Sequence, residues 1–411
     1  MIATTTLQSG IRLVTESMPE VASLCVGVWV GTGSRDETPE QSGISHFLEH
    51  LLFKGTPDRT AREIAEQVDA VGGDMNAYTT KEYTTFYVRA LAEHVELVLD
   101  ILGDIICQPA LRPEEVDAER QVILEEVLMH RDEPADVVQE LFAGAMFPGH
   151  PLGREVLGEP GIIENVTVPA IRSFFDTHYL PANMVIAAAG DLDHDTLKTA
   201  IETRFVGRQG GASPARSAPS GATVPLVVES RDTEQAQLVV GVRGPDRHSP
   251  ERYCLAVLNH ILGGGLSSRL FQEIRETRGL AYSIGSDRGA YHDAGTFAVS
   301  VGTAPEHAHE VLGLINTELD HLVAKGITAR ELEVAKGHLR ADMLLSLEDS
   351  GSRMARIGSA MLLFENVLTT EELLERVASV TANQVLTVAE QVFEAPRSLA
   401  VVGPFHESDF A

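Results

Sequence analysis

The sequence predicts an α+β protein of two homologous domains, each a mostly antiparallel sheet packed with helices. Three observations carry this. The chain has 411 residues, too many for one ordinary core and suited to two domains of about 200 residues. The stretch GRQGGASPARSAPSGAT, from Gly207 to Thr223, has no apolar period and is rich in Gly, Ser, Pro and Ala, as linkers are. The sequence on its two sides repeats one order of elements. The expected division is therefore a first domain over 1–206, a linker over 207–223 and a second domain over 224–411.

The elements follow in order. Apolar alternations that read as strands end in Val26-Gly27-Val28 and in Val240-Gly241-Val242. A polar turn comes next in each half, GTGSRDETPEQSG and RGPDRHSPER. Each turn opens a helix, containing FLEHLLF (47–53) or VLNHILG (257–263). FYVRALAEHVELVLDIL (86–102) then matches FAVSVGTAPEHAHEVLGLI (297–315), and VTVPAIRSFFDTHY (166–179) matches VTANQVLTVAEQVF (380–393). Each half goes on to an apolar strand ending in glycine, AAAG (187–190) and AVVG (400–403). Strands separated by short turns, as from Asn76–Tyr78 to Tyr83–Arg89, imply antiparallel pairing, with the helices laid on the sheets.

Composition narrows the function. Hydrophobic residues make up 44% and charged ones 22%, which supports packed cores and excludes a disordered chain. Sixty acidic residues against 32 basic ones give a formal charge of −28. Nucleic acid and anionic membrane surfaces are thereby excluded as partners, and basic or amphipathic ligands favoured. Cys25, Cys107 and Cys254 are too few and too scattered for a disulfide framework or a thiolate metal site. Neither a signal peptide nor a membrane span is apparent, so a cytoplasmic protein is expected. Gly263-Gly264-Gly265 lacks the ending and the preceding strand of a phosphate loop and reads as a flexible loop.

One constellation carries chemistry. SGISHFLEHLLF (42–53) contains His46-Phe47-Leu48-Glu49-His50. At about 100° per residue, His46 and His50 lie roughly 40° apart on one helix face, with Glu49 about 60° to the other side of His46. Two imidazoles one turn apart can chelate zinc, and a carboxylate beside them can accept a proton from water. The order is H-x-x-E-H, the inverse of H-E-x-x-H. A third ligand is sought on the helix PEEVDAERQVILEEVLMHRD (113–132). With Glu119 at 0°, Glu126 falls near about −20°, Val116, Ile123 and Val127 near about +40° to +80°, and Val122 and Met129 near about −60° to −80°. Both carboxylates thus read as lying on a buried stripe, where they need partners or a cation. Helix ends or arginines are one solution. With the two histidines in view, a His46, His50, Glu126 site is the economical one, with Glu119 orienting a ligand from behind.

SHFLEHLLFKGT (45–56), NAYTTKEYTTFYV (76–88), AERQVILEEV (118–127) and GGGLSSRLFQEIRETRGLAYSI (263–284) together resemble the pitrilysin/insulinase family of inverzincin metallopeptidases. The branch they are most similar to contains the mitochondrial processing peptidase β subunit and its single-chain bacterial relatives. The resemblance spans nearly the whole chain. It implies a LuxS/metallohydrolase-like two-domain repeat and zinc-dependent endopeptidase activity. It implies one Zn²⁺ per chain on His46, His50 and Glu126, with Glu49 as general base and Glu119 at the family's second acidic position. Asn76 and Ala77 match the start of a strand along which an extended peptide lies. Arg275 and Tyr282 match a pair that reaches the substrate carbonyl. It further implies a closed chamber of four such domains, hence a homodimer, or a heterodimer with an inactive homologue. A catalytic subunit active only beside a different chain and a non-catalytic member of the family are the alternative readings.

The second half tests this internally. Ala256, Asn259 and His260 stand where His46, Glu49 and His50 do, and Ala335 and Asp342 stand where Glu119 and Glu126 do. No catalytic metal is expected there.

Overall fold

Period-2 alternation of β-branched, aromatic and small residues builds two sheets. The computed structural model describes residues 2–207 and 210–410. The first sheet has six strands: β1 (Ile2–Thr6), β2 (Arg12–Ser17), β3 (Ser23–Val30), β4 (Asp74–Thr79), β5 (Thr84–Leu91) and β6 (Met184–Gly190), in the order β1-β2-β6-β3-β5-β4. The second has five: β7 (Leu226–Ser230), β8 (Ala236–Gly244), β9 (Ala281–Ala290), β10 (Gly295–Thr303) and β11 (Ser398–Gly403), in the order β7-β11-β8-β10-β9. β2 with β6 and β7 with β11 run parallel, and every other neighbouring pair is antiparallel. The two mostly antiparallel sheets packed with helices are the α+β architecture the sequence predicts.

The helices include α1 (Ile44–Leu52), α2 (Pro113–Asp132), α3 (Pro134–Met146), α4 (Arg252–Leu262), α5 (Ala329–Ser346) and α6 (Ser350–Phe364). The chain divides into two compact units. The first comprises Met1–Leu128, Arg154–Arg216 and Leu344–Val367, and the second Met129–Gly153, Ser217–Met343 and Leu368–Ala411. Each unit thus contains one helical segment drawn from the other half of the sequence. In the first unit α6 covers β2, β3 and β6, burying Met354 and Ile357 against Trp29, Val185 and Ala187. Close approach requires glycine at the contact, because a Cβ on Gly358 would lie 2.5 Å from the Trp29 ring. Arg353 and Arg356 of α6 also clasp the buried Glu16 of β2, at 2.7 and 3.2 Å. In the second unit α3 packs Val138, Phe142 and Met146 on Val239, Ala400 and Val402.

Of the 207–223 segment, residues 208 and 209 lie outside the described residues, and the remainder forms neither helix nor strand. Its Arg216 is nonetheless anchored within the first unit. The guanidinium donates to Asp36 at 2.9 and 2.7 Å and to the carbonyls of Gly31 and Glu82 at 3.1 and 2.6 Å. Cys25 and Cys254 are free thiols, both buried. Among the described residues no helix is long and apolar enough to cross a membrane.

Candidate metal centre

The sequence of α1 places its own chemistry. Ile44, Phe47, Leu48, Leu51 and Leu52 recur at helical spacing and are buried in the first core. That leaves His46, Glu49 and His50 along one margin of the helix. Gly43, at φ +89°, turns the chain into the helix. The carboxylate of Glu37 accepts from the amides of Gly43 and Ser45 at 2.9 and 2.8 Å, satisfying two of the free donors of the first turn. Burial pushes the Glu37 carboxyl up to about 7 in spite of those bonds.

His46 Nε2 and His50 Nε2 stand 3.2 Å apart. Glu126 Oε2, from α2, lies 3.7 Å from the first and 3.6 Å from the second. One donor atom from each of the three falls within 4.8 Å of the others. Tetrahedral donors at about 2 Å from a zinc ion stand about 3.3 Å from one another, so the trio fits that ion. His50 Nδ1 is 2.8 Å from Glu119 Oε1. With its proton donated there, the ring presents a lone pair at Nε2. Burial and the neighbouring His50 push the His46 imidazole down to about 4, which keeps it neutral and able to ligate. Its Nδ1 is buried without a hydrogen-bond partner. Two imidazole nitrogens and a carboxylate oxygen converging on one point are electrostatically unfavourable unless a cation sits among them.

The carboxylates divide by environment. Burial alone would raise Glu119, but hydrogen bonds from His50 and from Lys54, whose Nζ is 2.6 Å away, hold it below the usual range. Burial would lower His50, and Glu119, with Glu126 and Glu49, instead raises it. Glu49 is raised by burial, partly offset by the Thr79 hydroxyl, which donates to its Oε2 at 2.5 Å.

The expectation that Glu126 shares a buried stripe with Glu119 is corrected. The buried residues of α2 are Val116, Glu119, Ile123 and Val127. The Glu126 side chain is 42% exposed, and Val122 and Met129 are 50% and 72% exposed. The helix packs on one side only, and Glu126 stands at the edge where a metal site needs an open approach.

Asn76 and Ala77 lie on β4, whose only sheet neighbour among the described residues is β5. Ala77 turns toward the α1 side of the sheet, with Met75 against the first core, and Asn76 toward the opposite side. Arg275 and Tyr282 belong to the second unit, where the guanidinium lies 5.2 Å from the Tyr282 ring centroid. Tyr282 is 78% exposed. Three residues of the site escaped the sequence reading. Thr79 shares a β4 face with Ala77, two residues on, and Lys54 follows His50 by one turn, so both were findable from spacing. Glu37 sits in an irregular loop and gave no periodic signal.

Residues 12–160 match the family model "Insulinase (Peptidase family M16)", and residues 165–339 match "Peptidase M16 inactive domain". The chain belongs to peptidase family M16. An uncharacterized zinc protease of Streptomyces coelicolor is 42% identical to this M16 chain over 98% of it and 90% of the relative. The uncharacterized zinc protease YmxG of Bacillus subtilis is 38% identical, over 98% of both. A crystal structure of a protease from Helicobacter pylori superposes with a TM-score of 0.90 at 23% identity, covering 98% of this chain and 99% of that one. A structure titled peptidase M16 inactive domain, from Pseudomonas fluorescens, superposes at 0.92 with 19% identity, covering 99% and 98%. At those identities the structural likeness speaks for the fold.

Proposed function

We propose that this M16 chain is a zinc-dependent endopeptidase acting on peptides or unfolded segments bound as an added strand along β4. The observation that carries the reading is the convergence of His46, His50 and Glu126 beside Glu49 and a strand edge that is unpaired among the described residues. Zinc held by His46, His50 and Glu126, one ion per chain, would supply Lewis acidity toward the scissile carbonyl and lower the pKa of water there. Glu119 fixes the tautomer and orientation of His50. Glu49, with its carboxyl raised by burial, takes a proton from the attacking water and hands it to the leaving amine. Thr79 holds that carboxylate in place. Asn76 and Ala77 offer backbone groups to the peptide, which gives affinity with broad sequence tolerance. Arg275 and Tyr282 are assigned to the developing oxyanion, supplied across a homodimer by the partner subunit. The free thiols of Cys25 and Cys254 support a reducing, cytoplasmic setting.

Metal content and cleavage of a mixed library of unstructured peptides, for wild type and Glu49→Gln, test this reading. About one zinc per chain in both proteins, with cutting by wild type alone, is the expected result. Zinc in both with cutting by neither would point to a catalytic subunit that needs a different chain. Absence of metal from both would overturn the peptidase reading.

A further inference from the structure

Arg275 stands apart from the neighbouring arginines of the second unit. Arg269 donates to Glu331 at 2.6 Å, and Arg278 lies 2.8 Å from Glu273 and 3.6 Å from Glu310. Arg275 has no ion pair and no side-chain hydrogen bond among the described residues, although the chain has 60 acidic residues against 32 basic ones. Aromatic rings take the place of a carboxylate. The guanidinium carbon lies 4.7 Å from the centroid of the Phe271 ring and 5.2 Å from that of Tyr282.

Two backbone irregularities bring these side chains together. Phe271–Thr277 is a π-helix, whose amides reach back five residues instead of four. Phe271 and Arg275 lie about one turn apart on it, while Ile274 and the preceding Leu270 are buried in the second core. Gly279, at φ +66°, turns the chain out of the helix. Its amide donates to the carbonyl of Arg275 at 3.0 Å, and that of Leu280 to the carbonyl of Ile274 at 3.0 Å. In β9, Ala281 pairs with Thr303 and Ser283 with Gly302, so Tyr282 is the extra residue of a bulge. The bulge aims the Tyr282 ring at the guanidinium and leaves the residue 78% exposed. Both irregularities give up regular pairing, and both are over-represented at functional sites.

How an arginine is held decides what it can still bind. A carboxylate would occupy the N–H groups at the edge of the guanidinium and cancel its charge. A ring uses the planar face, so the in-plane N–H groups stay available and the charge is kept. Without such a support, a side chain as long as arginine spreads over many rotamers. We infer that Phe271 is a positioning residue for the peptidase reaction: its ring holds the unpaired Arg275 against Tyr282, with the guanidinium edge free for the developing oxyanion. Phe271 itself needs no contact with substrate. The inference rests on the assignment of Arg275 and Tyr282 to that oxyanion, and its test separates the two.

A fluorogenic unstructured peptide is assayed with wild type, Phe271→Leu, Phe271→Tyr, Arg275→Ala and Phe271→Leu/Arg275→Ala. Arg275→Ala is expected to lower kcat by about 100-fold or more. Phe271→Leu should lower kcat by about tenfold with KM within about twofold, as loss of a transition-state interaction does, and Phe271→Tyr should recover most of that loss. In the Arg275→Ala background, Phe271→Leu should change kcat by less than about twofold, because the group it positions is gone. A second loss of about tenfold there would mean that Phe271 acts through the fold at large, and overturns the positioning role. So does a Phe271→Leu enzyme with wild-type kcat, or one altered only in KM. Arg275→Ala that cuts like wild type overturns it too, and leaves the zinc-based peptidase reading standing. A wild type that cuts no peptide overturns the peptidase reading and the positioning role together.

Discussion

α1 and α4 are one helix built twice. Both bury an apolar stripe, Phe47, Leu48 and Leu51 in the first and Val257, Leu258 and Ile261 in the second. Behind each runs a long helix, α2 or α5, with a buried residue facing inward, Glu119 in one and Ala335 in the other. The polar margins differ. Asn259 replaces Glu49, and Ser286 Oγ donates to Asn259 Oδ1 at 2.9 Å much as Thr79 donates to Glu49. The hydroxyl from the neighbouring strand is present in both copies, but the acid only in the first. His260, in the place of His50, stacks on His338 with ring centroids 4.2 Å apart instead of bonding a carboxylate. The scaffold therefore folds without the charges. The first copy also holds two costly buried polar groups, the Glu37 carboxyl and the partnerless Nδ1 of His46.

Converting one copy toward the other is the direct way to break this comparison. His46→Ala gives the first helix the residue of the second at Ala256. Bound zinc, measured by elemental analysis, should fall from about one per chain to background, and peptide cleavage by more than about a thousandfold. Retention of both would remove His46 from the site. The reverse change, Ala335→Glu, introduces a carboxylate at a fully buried position. The stacked His260 offers it no bond of the kind His50 gives Glu119, and the counterpart of Lys54 is Gly264. Loss of about 3 kcal/mol in denaturant unfolding is expected. A neutral result would show that the second unit can still house the charge.

Glu119→Ala copies Ala335 into the first unit and should act more mildly. The ligands remain, but His50 loses the acceptor at 2.8 Å that fixes its tautomer. A competition titration with a chelator should show zinc affinity falling by about 10- to 100-fold, with Glu119→Gln recovering part of it. Unchanged affinity would mean that Glu119 serves only Lys54.

The repeat that makes these exchanges meaningful was legible in the sequence, because strand alternation and helix spacing are local patterns. The clustering of His46, His50 and Glu126 was legible for the same reason: His46 and His50 share a helix face, and Glu126 follows from the wheel of α2 together with the family resemblance. What the wheel misjudged was burial. Val122 and Met129 are apolar yet exposed, since periodicity shows which residues share a face and cannot show which neighbour covers it. The exchange of α3 and α6 was hidden for a similar reason. Each carries an apolar stripe, and the stripe alone does not say which sheet it covers. The anchoring of Arg216 in an otherwise linker-like stretch depends on Asp36 and Glu82, far away in sequence.

The smallest effect concerns how each helix begins. α4 starts at Glu251 with no side-chain bond to its first turn, whereas α1 rests on buried Glu37. The Glu37 carboxyl titrates near 7 in the fold against an ordinary value of 4.5. Between those values the folded chain holds a proton that the unfolded chain has released. Stability attributable to Glu37 is therefore greatest at low pH and declines as pH rises through that window, by at most about 1.4 kcal/mol per pH unit, then levels off above it. Glu37→Gln removes the titration and leaves one of the two amides without an acceptor, which lowers stability by an amount independent of pH. Chemical unfolding of both proteins, stripped of metal, at a series of pH values gives a difference curve. Wild type minus variant should slope downward between about pH 4.5 and 7 and run flat beyond. An upward slope would mean that the two amide donors and the helix dipole outweigh burial and keep Glu37 ionised. The first helix would then be held by a charged cap that the second lacks, and the two copies would differ electrostatically at their starts as well as along their polar margins.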